Sequence, residues 1–492
     1  MKTLFVFLND RKRTLIPPNI SLLKGMLEQN GLSTRVFDTS FYAEHTRLKE
    51  EDKKEGYGMF KPIDYSSIGV QIKNSDLTLD FLAEIESYRP DLVAFSTHSP
   101  TFGLGLRLAQ ALKKKHKDML VLFGGVHVSI EPGEVISHDA VDLICLGEGE
   151  EAILELCSAI KDGKNITNIR NIWAKHNSAV TRNPLRPPME MDDLPTPSWD
   201  GFSTIHHYAP YRGKLLKTAL VEFSRTCPHS CGYCGNRILS KIYKESGIIL
   251  KTRHKSPEKF IRELKTLKDK YGVEFMNVID GTFLTFGTPV FVKLAHLYKK
   301  EIGLPFYVDS TVVSINKERA RLLKEMGCIC VNMGLESGDH EYRKKYLLKD
   351  FSDEAIVNGF KIVHEAGLEA RAYNMMGLPF ESRKQIFKTI ALNRKVKVDS
   401  ASVAIFVPYP GAYLRQLCIE RGLIKKDHEV TGDATEPNIK SDLLSDAEVV
   451  GLYKTFCLYI KAPKVLYPLI RFCEGRNFLA ERIRAFLLRI YN

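Results

Sequence analysis

The amino-acid sequence predicts an α/β protein with two parallel-sheet regions and a helical C-terminal region. Apolar strand-like runs alternate with helical patterns over residues 1–160, and the same alternation returns as six βα steps between residues 216 and 412. Residues 413–492 show helical spacing of apolar residues and no further strand pattern. A chain of 492 residues has room for two to four domains, at about 150 residues each.

In the N-terminal region, short apolar runs end at segments that suit ligand binding. Parallel sheets with helices on both faces bind ligands at the carboxyl ends of their strands, and glycine there lets a ligand approach the backbone closely. Tight strand-to-helix turns also use glycine, so a purely structural role stays open. The segments concerned are Ser96-Thr97-His98, Gly124-Gly125-Val126-His127 and Gly147-Glu148-Gly149-Glu150.

A proline-rich stretch separates the two sheet regions. Residues 161–215 contain Asn183-Pro184 and Pro187-Pro188, with one hairpin predicted around Ile172–Val180. The sequence therefore predicts a Rossmann-like domain at 1–160, a linker at 161–215, a partial barrel at 216–412 and a helical cap at 413–492.

Only one group among the ten cysteines has metal-ligand spacing. Cys227, Cys231 and Cys234 follow an apolar run, with three and then two residues between them, and a tight loop can direct three such thiolates to one point. Three thiolates satisfy three irons of a cubane cluster and leave the fourth iron open to another ligand. A zinc site is the alternative, with His229 inside the loop, but no second pair of ligands follows.

Bulk properties narrow the function classes. The net charge of +12 is compatible with a nucleic acid, a membrane surface, an anionic substrate or a solvated surface. No zinc finger or RNA-binding signature is present, which argues against a nucleic-acid partner. No apolar run is long enough to cross a bilayer, and the start lacks the shape of a secretory signal, so we expect a cytoplasmic protein.

The cysteine loop, with Tyr233 before its last cysteine, resembles the loop of the radical S-adenosylmethionine (SAM) superfamily. Residues 1–415 as a whole resemble the branch with an N-terminal cobalamin-binding domain, which includes cobalamin-dependent methylases and the anaerobic magnesium-protoporphyrin cyclase. The segments that match the motifs of this branch are Gly124–His127, Gly147–Glu150, Asp280–Phe283, Gly334–Ser337, Gly377–Glu381 and Pro408–Gly411.

The resemblance implies a fold and a set of cofactors. The fold is a cobalamin-type Rossmann domain followed by a (β/α)6 partial TIM barrel. The cofactors are one 4Fe-4S cluster, SAM and cobalamin. In this family SAM chelates the open iron, an external one-electron donor reduces the cluster, and cleavage of SAM gives a 5′-deoxyadenosyl radical.

The resemblance also implies roles for single residues. Cys227, Cys231 and Cys234 ligate the cluster. Tyr409 is a candidate catalytic residue near the radical. The SAM-binding set is Tyr233, Asp280, Glu336, Ser337, Gly377 and Pro379, with Phe283 facing cofactor or substrate. The cobalamin-binding set is Ser96, Thr97, Gly124, Gly125, His127, Gly147 and Glu148.

Two of these residues also have a purely structural interpretation. Glu336 could form a surface ion pair, and His127 could be a hydrogen-bonded histidine at a strand end. The Asp-x-His-x-x-Gly loop that supplies a cobalt ligand in many cobalamin proteins is absent, so the sequence assigns no ligand to cobalt.

Three functions are compatible with these features. The first is methylation of an unactivated carbon, in which one SAM supplies the radical and a second remethylates cobalamin. The second is a non-methylating radical cyclisation, rearrangement or oxidation on the same architecture. The third, a cobalamin-binding sensor, is disfavoured because a sensor has no need of an open iron. The expected substrate is a small or lipid-like molecule.

The C-terminal helix has apolar residues at helical spacing, including Leu479, Phe486 and Ile490, with arginines between them. Residues 461–492 carry seven basic and two acidic side chains, a balance of +5. This helix is interpreted either as part of a cap that shapes the substrate pocket or as a peripheral contact with anionic lipid on the inner face of the membrane.

Overall fold

A computed structural model describes residues 1–9, 14–45, 50–57, 59, 63–176 and 179–491. The chain divides into two compact units. The N-terminal unit comprises residues 1–47, 64–220 and 238–273, and the C-terminal unit comprises residues 48–63, 221–237 and 274–492. The chain therefore leaves and re-enters each unit more than once.

The N-terminal unit contains a seven-stranded sheet. Five parallel strands come first, and an antiparallel hairpin adds the last two. The hairpin lies where the sequence predicts one, with its turn residues 177–178 outside the described residues. The order across the sheet is Ser33–Asp38, Lys2–Phe7, Leu92–Ser96, Leu120–Gly124, Leu143–Cys145, Ile172–His176 and Ala179–Arg182.

Sheet order explains where a ligand can bind in this unit. From strand Lys2–Phe7 the chain connects first to the neighbouring strand on one side and then to Leu92–Ser96 on the other side. The point between Lys2–Phe7 and Leu92–Ser96 is therefore the topological switch point of a doubly wound sheet. Leu4, Val93 and Val121 are fully buried, as expected for parallel strands covered on both faces. The unit's helices are Pro18–Gln29, Leu77–Tyr88, Ser99–Lys115, Val126–Ile130, Pro132–Ser137, Glu150–Lys161 and Pro257–Tyr271.

The remaining elements of this unit are short. Tyr208–Tyr211 pairs antiparallel with Lys214–Val221, the strand that leads into the cysteine loop. Helix Gly235–Glu245 follows that loop, and its residues from Ile238 onward belong to the N-terminal unit. A short strand covers Arg253–His254, and 3-10 turns cover Ala43–His45, Tyr65–Ile68 and Thr204–His207.

The C-terminal unit contains the partial barrel. Its parallel strands are neighbours in chain order: Phe275–Val278, Phe306–Ser310, Cys328–Glu336, Glu369–Met376 and Ser400–Ile405. The first barrel strand joins them through Val221, whose carbonyl accepts a hydrogen bond of 2.9 Å from the Ile279 N–H. These six strands confirm the predicted half-barrel.

Helix boundaries in the barrel follow local chemistry. Ser352 and Asn316 cap helices by accepting from the N–H three residues on. Gly327 ends a helix at φ 96°, a conformation that glycine adopts without strain. The helices are Thr288–Leu297 (continued by a π-turn at Tyr298–Ile302), Lys317–Met326, His340–Lys345, Asp353–Glu365 and Arg383–Lys395. Helix Glu50–Gly56 and strand Ser224–Arg225 also belong to this unit.

The C-terminal region is mainly helical, as the sequence predicts. Its helices are Tyr413–Glu420, Asp446–Lys461, Tyr467–Phe472 and Phe478–Tyr491, with a 3-10 turn at Lys464–Leu466. The predicted helical C-terminal region is confirmed, and residues 421–445, which contain no helix, interrupt it. Leu414, Leu423 and Ile439 pack with Leu378 and Phe406, which follow barrel strands. Residues 413–439 therefore cover the carboxyl-end loops.

The helix Asp446–Lys461 packs on the outer side of the half-barrel. It contacts strand Ser400–Ile405 and helix Arg383–Lys395. The Arg394 guanidinium donates to the carbonyls of Tyr459, Ile460 and Ala462 at 2.9, 2.8 and 2.6 Å. A cation at this end satisfies carbonyls that lack helical partners and offsets the negative end of the helix dipole.

Candidate functional site

The cysteine loop begins where the first barrel strand ends. Cys227, Cys231 and Cys234 are free and half-buried. Burial raises the pKa of the Cys227 and Cys231 thiols, and the neighbouring Cys234 raises it further, whereas the Lys349 ammonium lowers it. The three sulfurs are thus close enough to interact, with one cation facing them.

The loop fits an iron–sulfur cluster better than a single zinc ion. Within the described part of the chain, no three His, Cys, Asp or Glu side chains are arranged as ligands of one metal ion. Zinc requires four ligands around one point, whereas the thiolates of a cubane cluster bind different irons and need not converge. Three cysteine thiolates bind three irons of such a cluster and leave its fourth iron open to another ligand.

The Asp280 carboxylate anchors the start of the loop. Its Oδ1 accepts from the Phe223 N–H at 2.8 Å, and its Oδ2 accepts from the Ser224 N–H at 2.9 Å and the Ser224 hydroxyl at 2.5 Å. Burial raises the pKa of Asp280 to about 7, against these hydrogen bonds, which lower it. Because both oxygens accept hydrogen bonds from the start of the loop, Asp280 holds the loop in position, and its contact with SAM stays a prediction.

The centre of the loop is held on both sides of Gly232. Its N–H donates to the Leu347 carbonyl at 2.8 Å, and its carbonyl accepts from the Leu414 N–H at 3.0 Å. A Cβ atom at this position would lie 2.9 Å from the Tyr346 carbonyl oxygen and 3.0 Å from the Tyr413 ring. Only glycine fits between these groups, so residues 346–347 and 413–414 hold the centre of the cysteine loop in place.

Strained backbone surrounds the loop. Thr226, Glu336 and Phe380 have φ values of 73°, 64° and 62°, in a region that non-glycine residues rarely occupy. Each such residue costs about 1–3 kcal/mol, and strain of this kind clusters at functional sites. Thr226 is β-branched, directly precedes Cys227, and is therefore the most unusual of the three.

Glu336 is turned into the site by an irregularity at the end of its strand. The register with strand Glu369–Met376 shifts between Gly334 and Glu336, which is the mark of a bulge. Glu336 Oε1 accepts from the Tyr233 hydroxyl at 2.9 Å and from Lys349 Nζ at 3.0 Å. The structure shows no partner for Oε2 among the described residues. The carboxylate is nearly buried, so the structure replaces the surface ion pair with a buried one.

The other residues predicted to contact SAM or substrate follow barrel strands and differ in their surroundings. Ser337 is buried and its carbonyl accepts from Arg343 at 2.6 Å. Gly377 has φ 64°, and the Pro379 carbonyl accepts from the Tyr342 hydroxyl at 2.6 Å. Phe283 is buried against Phe223 and Phe286. Tyr409 is 38% exposed and lies just before residues 413–439 in the chain.

Glu381 belongs to the site but sequence reasoning gave it no role. It is fully buried after the fifth barrel strand, and one oxygen accepts from the Leu378 N–H at 3.3 Å. Its Oε1 has no hydrogen-bond partner among the described residues. Burial raises the pKa of Glu381 to about 8. The side chain therefore holds a proton at neutral pH and shapes the turn at Gly377–Pro379.

A polar cluster that sequence reasoning missed lies on the inner face of the barrel. Asp309 Oδ1 accepts from Asn332 Nδ2 at 2.8 Å and from the Tyr373 hydroxyl at 3.2 Å. Arg371 lies in register with Asn332 and donates through Nε to Ser400 at 3.0 Å. Val308, Val331 and Ala370, on the opposite face, are fully buried. Alternation of polar and apolar residues in these strands was the available signal.

The predicted cobalamin residues meet at the carboxyl edge of the N-terminal sheet. Gly125 has φ 99°, and a Cβ atom there would lie 2.3 Å from the Thr97 carbonyl oxygen. Thr97 in turn donates through its hydroxyl to the Gly124 carbonyl at 3.1 Å. Ser96 accepts from Asn19 at 2.6 Å. The glycines thus allow two strand-end loops to touch.

His127 is the polar group of this edge that lacks a complete set of partners. Its Nδ1 lies 3.1 Å from the Ser99 hydroxyl, and its ring packs on Phe102 at 4.5 Å. Its buried Nε2 has no partner among the described residues. Burial lowers the pKa of His127 to about 4, so the imidazole is neutral at physiological pH. An unpaired neutral nitrogen at the carboxyl edge of a parallel sheet fits a bound cofactor.

The third strand-end loop is tied to residues beyond the linker. The Glu148 N–H donates to the Tyr243 hydroxyl at 2.9 Å, and the Glu148 carboxylate pairs with Arg253. Gly147 has φ 69°, and a Cβ atom there would lie 2.3 Å from the Tyr243 hydroxyl oxygen. Glu148 and Gly147 therefore position this loop.

Comparisons with known proteins agree with this architecture. The family model "Radical SAM superfamily" matches residues 221–392, and the model "B12 binding domain" matches residues 6–157. An uncharacterized methyltransferase of Pyrococcus horikoshii is 26% identical over 85% of this chain and 88% of its own length. The anaerobic magnesium-protoporphyrin IX monomethyl ester cyclase of Rubrivivax gelatinosus is 24% identical over 85% of this chain and 75% of its own length.

Solved structures share the fold. The radical SAM methyltransferase TsrM of Kitasatospora setae superposes with a TM-score of 0.63 at 14% identity, over 85% of this chain and 76% of that chain. The cobalamin-dependent radical SAM enzyme OxsB superposes with a TM-score of 0.66 at 14% identity, over 99% of this chain and 72% of that chain. The doubly wound domain and the half-barrel thus occur together in proteins of this class.

Residues 221–392 thus form a radical SAM domain and residues 6–157 a B12 binding domain, the combination of the radical SAM branch with an N-terminal cobalamin-binding domain. The predicted class of protein, an enzyme with a 4Fe-4S cluster, SAM and cobalamin as cofactors, is confirmed at the level of these families. The roles of single residues remain predictions.

Removing the Asp280 carboxylate should weaken cluster binding. Asp280→Ala leaves three buried donors unpaired, at about 1–3 kcal/mol for each. We expect the iron content after anaerobic reconstitution to fall by more than half, with Asp280→Asn intermediate because it keeps one acceptor oxygen. Asp309→Ala, which removes a half-buried carboxylate on another barrel strand, should bind iron normally. Full iron loading of Asp280→Ala would contradict the anchoring role.

Glu381 should give the stability of the fold a measurable pH dependence. Its pKa rises from 4.5 to about 8 on folding, so the folded chain holds a proton that the unfolded chain loses over this range. The free energy of unfolding should therefore fall as the pH rises, by up to about 1.4 kcal/mol per pH unit. Glu381→Gln, neutral at every pH, should lack this decline.

Urea titrations of wild type and Glu381→Gln at a series of pH values measure the effect. The difference between their free energies of unfolding should move in favour of the variant as the pH rises. The matched control is Glu341→Gln, which changes an exposed glutamate. Parallel curves for wild type and Glu381→Gln would show that Glu381 ionises normally in the folded chain.

Proposed function

We propose that this radical SAM enzyme transfers a methyl group to an unactivated carbon, with cobalamin in its N-terminal domain. The observation that carries the proposal is the loop of three free, half-buried cysteines after the first strand of a half-barrel, on one chain with a B12 binding domain. Two of the relatives at this level of similarity are named as a methyltransferase and a hopanoid C-3 methylase.

The chain's own residues prepare the site for SAM. When bound, the cluster supplies an open iron and the electron that cleaves SAM. Glu336 Oε2 is the free carboxylate oxygen nearest to the loop partners Tyr233 and Lys349, and it suits an ammonium or a ribose hydroxyl. The turn at Gly377–Pro379, supported by protonated Glu381, supplies backbone groups for the adenine.

The inner face of the barrel suits a polar portion of the substrate. The structure shows no partner for Asp309 Oδ2 or for the two terminal nitrogens of Arg371 among the described residues. A carboxylate oxygen and a guanidinium two strands apart can hold a donor and an acceptor of one molecule in a fixed orientation. Residues 413–439 cover the loops above and limit access of water.

A non-methylating radical reaction is the second candidate. It is favoured by one observation, the similarity to the magnesium-protoporphyrin ester cyclase over 85% of this chain. The two candidates require the same cysteine loop and the same half-barrel, so they differ only in their products.

Product analysis separates the two reactions. The enzyme is reconstituted without oxygen with iron, sulfide and cobalamin, reduced, and given methyl-labelled SAM with a small-molecule extract of its source cells. Methylation should yield S-adenosylhomocysteine, 5′-deoxyadenosine and a labelled product. Formation of 5′-deoxyadenosine with no S-adenosylhomocysteine would support the second candidate.

Cysteine variants provide the control for the site itself. Cys227→Ala, Cys231→Ala and Cys234→Ala should each abolish cleavage of SAM, because each removes one cluster ligand. Cys457→Ala, a cysteine on the outer side of the barrel that donates to the Ala401 carbonyl, should leave cleavage unchanged. SAM cleavage by a variant in which all three of these cysteines are replaced with alanine would contradict the proposed function.

We further propose a cytoplasmic enzyme that depends on an external one-electron donor. All ten cysteines are free thiols, as expected in a reducing compartment. Over the described residues, no helix combines the length and apolarity needed to cross a bilayer.

Peripheral contact with a membrane is a further proposal and rests on the last helix. Arg484, Leu487 and Leu488 are buried on its inner side. On its outer side Phe478, Leu479, Phe486 and Ile490 are 72%, 58%, 63% and 56% exposed. Arg482 and Arg489 are exposed beside them. An apolar face flanked by arginines is typical of helices that lie on anionic bilayers.

Serine substitutions on this outer face should weaken membrane binding. Replacing Phe478, Leu479, Phe486 and Ile490 with serine removes apolar side chains worth about 1.5–3 kcal/mol each when buried. We expect at least tenfold weaker cosedimentation with vesicles that contain phosphatidylglycerol. The matched control changes four exposed apolar residues elsewhere, Ile72, Leu79, Ile249 and Leu443, to serine. Equal binding by both variants would remove the proposal.

A further inference from the structure

A basic cavity lies on the outer side of the C-terminal unit, away from the cysteine loop. It has a volume of about 540 Å³. It lies between the first turns of helix Arg383–Lys395, the helix Asp446–Lys461 and the short helix Tyr467–Phe472. Its lining consists of Arg383, Lys384, Phe387, Tyr459, Tyr467, Pro468 and Arg471. Three cations and three aromatic rings thus line it, with no carboxylate among them.

One cation of the cavity is held rigidly. Arg383 forms two hydrogen bonds to the Glu474 carboxylate, at 2.9 and 2.5 Å, and its guanidinium lies 5.3 Å from the centre of the Phe387 ring. Glu474 also accepts from the Tyr459 hydroxyl at 2.6 Å. The charge of Arg383 is therefore balanced by Glu474, and the Arg383–Glu474 ion pair forms a rigid part of the cavity lining.

The other two cations are not balanced in this way. Lys384 and Arg471 are exposed, and no ion pair joins either of them to a described carboxylate. Glu448 lies near enough to interact electrostatically with Arg471. Its carboxylate, however, accepts hydrogen bonds from the Ser445 N–H and hydroxyl at the start of its helix. The first turn of helix Arg383–Lys395 contains no acidic residue. The positive end of that helix adds to the local potential.

The aromatic rings form an apolar wall. Tyr459 and Tyr467 pack edge to face at 4.9 Å, and Phe387 packs on Tyr459 at 5.0 Å. The Tyr467 hydroxyl donates to the Tyr459 carbonyl at 2.9 Å. Both tyrosine hydroxyls are therefore engaged within the protein, and only carbon surfaces of the rings face the cavity.

We propose that this cavity binds a phosphate ester. Lys384 and Arg471 would hold the phosphate oxygens, and the aromatic wall would contact the apolar or glycerol portion of the ester. Guanidinium and ammonium groups without ion-pair partners are the usual phosphate ligands. The ester can be a lipid headgroup or a free metabolite, because the two present the same phosphate chemistry.

Binding of two probes tests the proposal on the full-length holoenzyme. Glycerol 3-phosphate is measured by equilibrium dialysis, and vesicles of phosphatidylcholine with or without phosphatidylglycerol are measured by cosedimentation. The variant Lys384→Ala/Arg471→Ala should bind the recognised probe about tenfold more weakly. Lys425→Ala/Lys426→Ala, which removes two exposed lysines elsewhere, should bind as wild type.

Each outcome is decisive. Loss of glycerol 3-phosphate binding in the cavity variant alone supports a soluble ester, and loss of phosphatidylglycerol-dependent cosedimentation alone supports a headgroup. Failure of wild type to bind either probe overturns the proposal, as does equal binding by the cavity variant and its control. SAM cleavage by all proteins is measured in parallel and should be unchanged, so the proposal stands or falls independently of the radical reaction.

Discussion

The hydrogen bonds to the Asp280 carboxylate are the constraint on which the site depends. They fix the backbone at Phe223 and Ser224, where the first barrel strand turns into the cysteine loop. A short loop can place three thiolates only if its start is immobile, because each rotation at the strand end would displace all three. The buried Asp280 side chain, with both oxygens hydrogen-bonded to the start of the loop, keeps that start immobile.

The same arrangement explains the tension in the surrounding backbone. Thr226 adopts a left-handed conformation between the anchored Ser224 and the first thiolate. Glu336 does so at the bulge that turns its carboxylate towards Tyr233 and Lys349. Local strain persists only where neighbouring contacts over-determine the conformation. Here those contacts are the Asp280 carboxylate, the clamp on Gly232 and the buried ion pair.

The sequence predicted the strands, most helices and the cysteine loop, because these follow from periodicity and from short-range spacing. Helix Pro257–Tyr271 was predictable to the residue, since Ser256 caps its start and Gly272 ends it. The anchoring role of Asp280 could not be predicted, because a motif position does not reveal whether a carboxylate faces a ligand or the protein's own backbone. Lys349 carries no local signal, and its partnership with Glu336 exists only in the folded chain. The break in helix at 421–445 was missed because that segment packs through tertiary contacts.

The interleaving of the two units along the chain has a consequence for synthesis. Tyr243, from a segment that follows the cysteine loop, is 2% exposed within the core of the N-terminal unit and supports the Glu148 loop. Lys53, from an early segment, pairs with Asp433 in the C-terminal unit at 2.5 Å. Contacts between such distant positions slow folding. The nascent chain therefore cannot complete its first globule until more than half of it has left the ribosome, and a truncated fragment ending before residue 238 would expose core surface and favour aggregation.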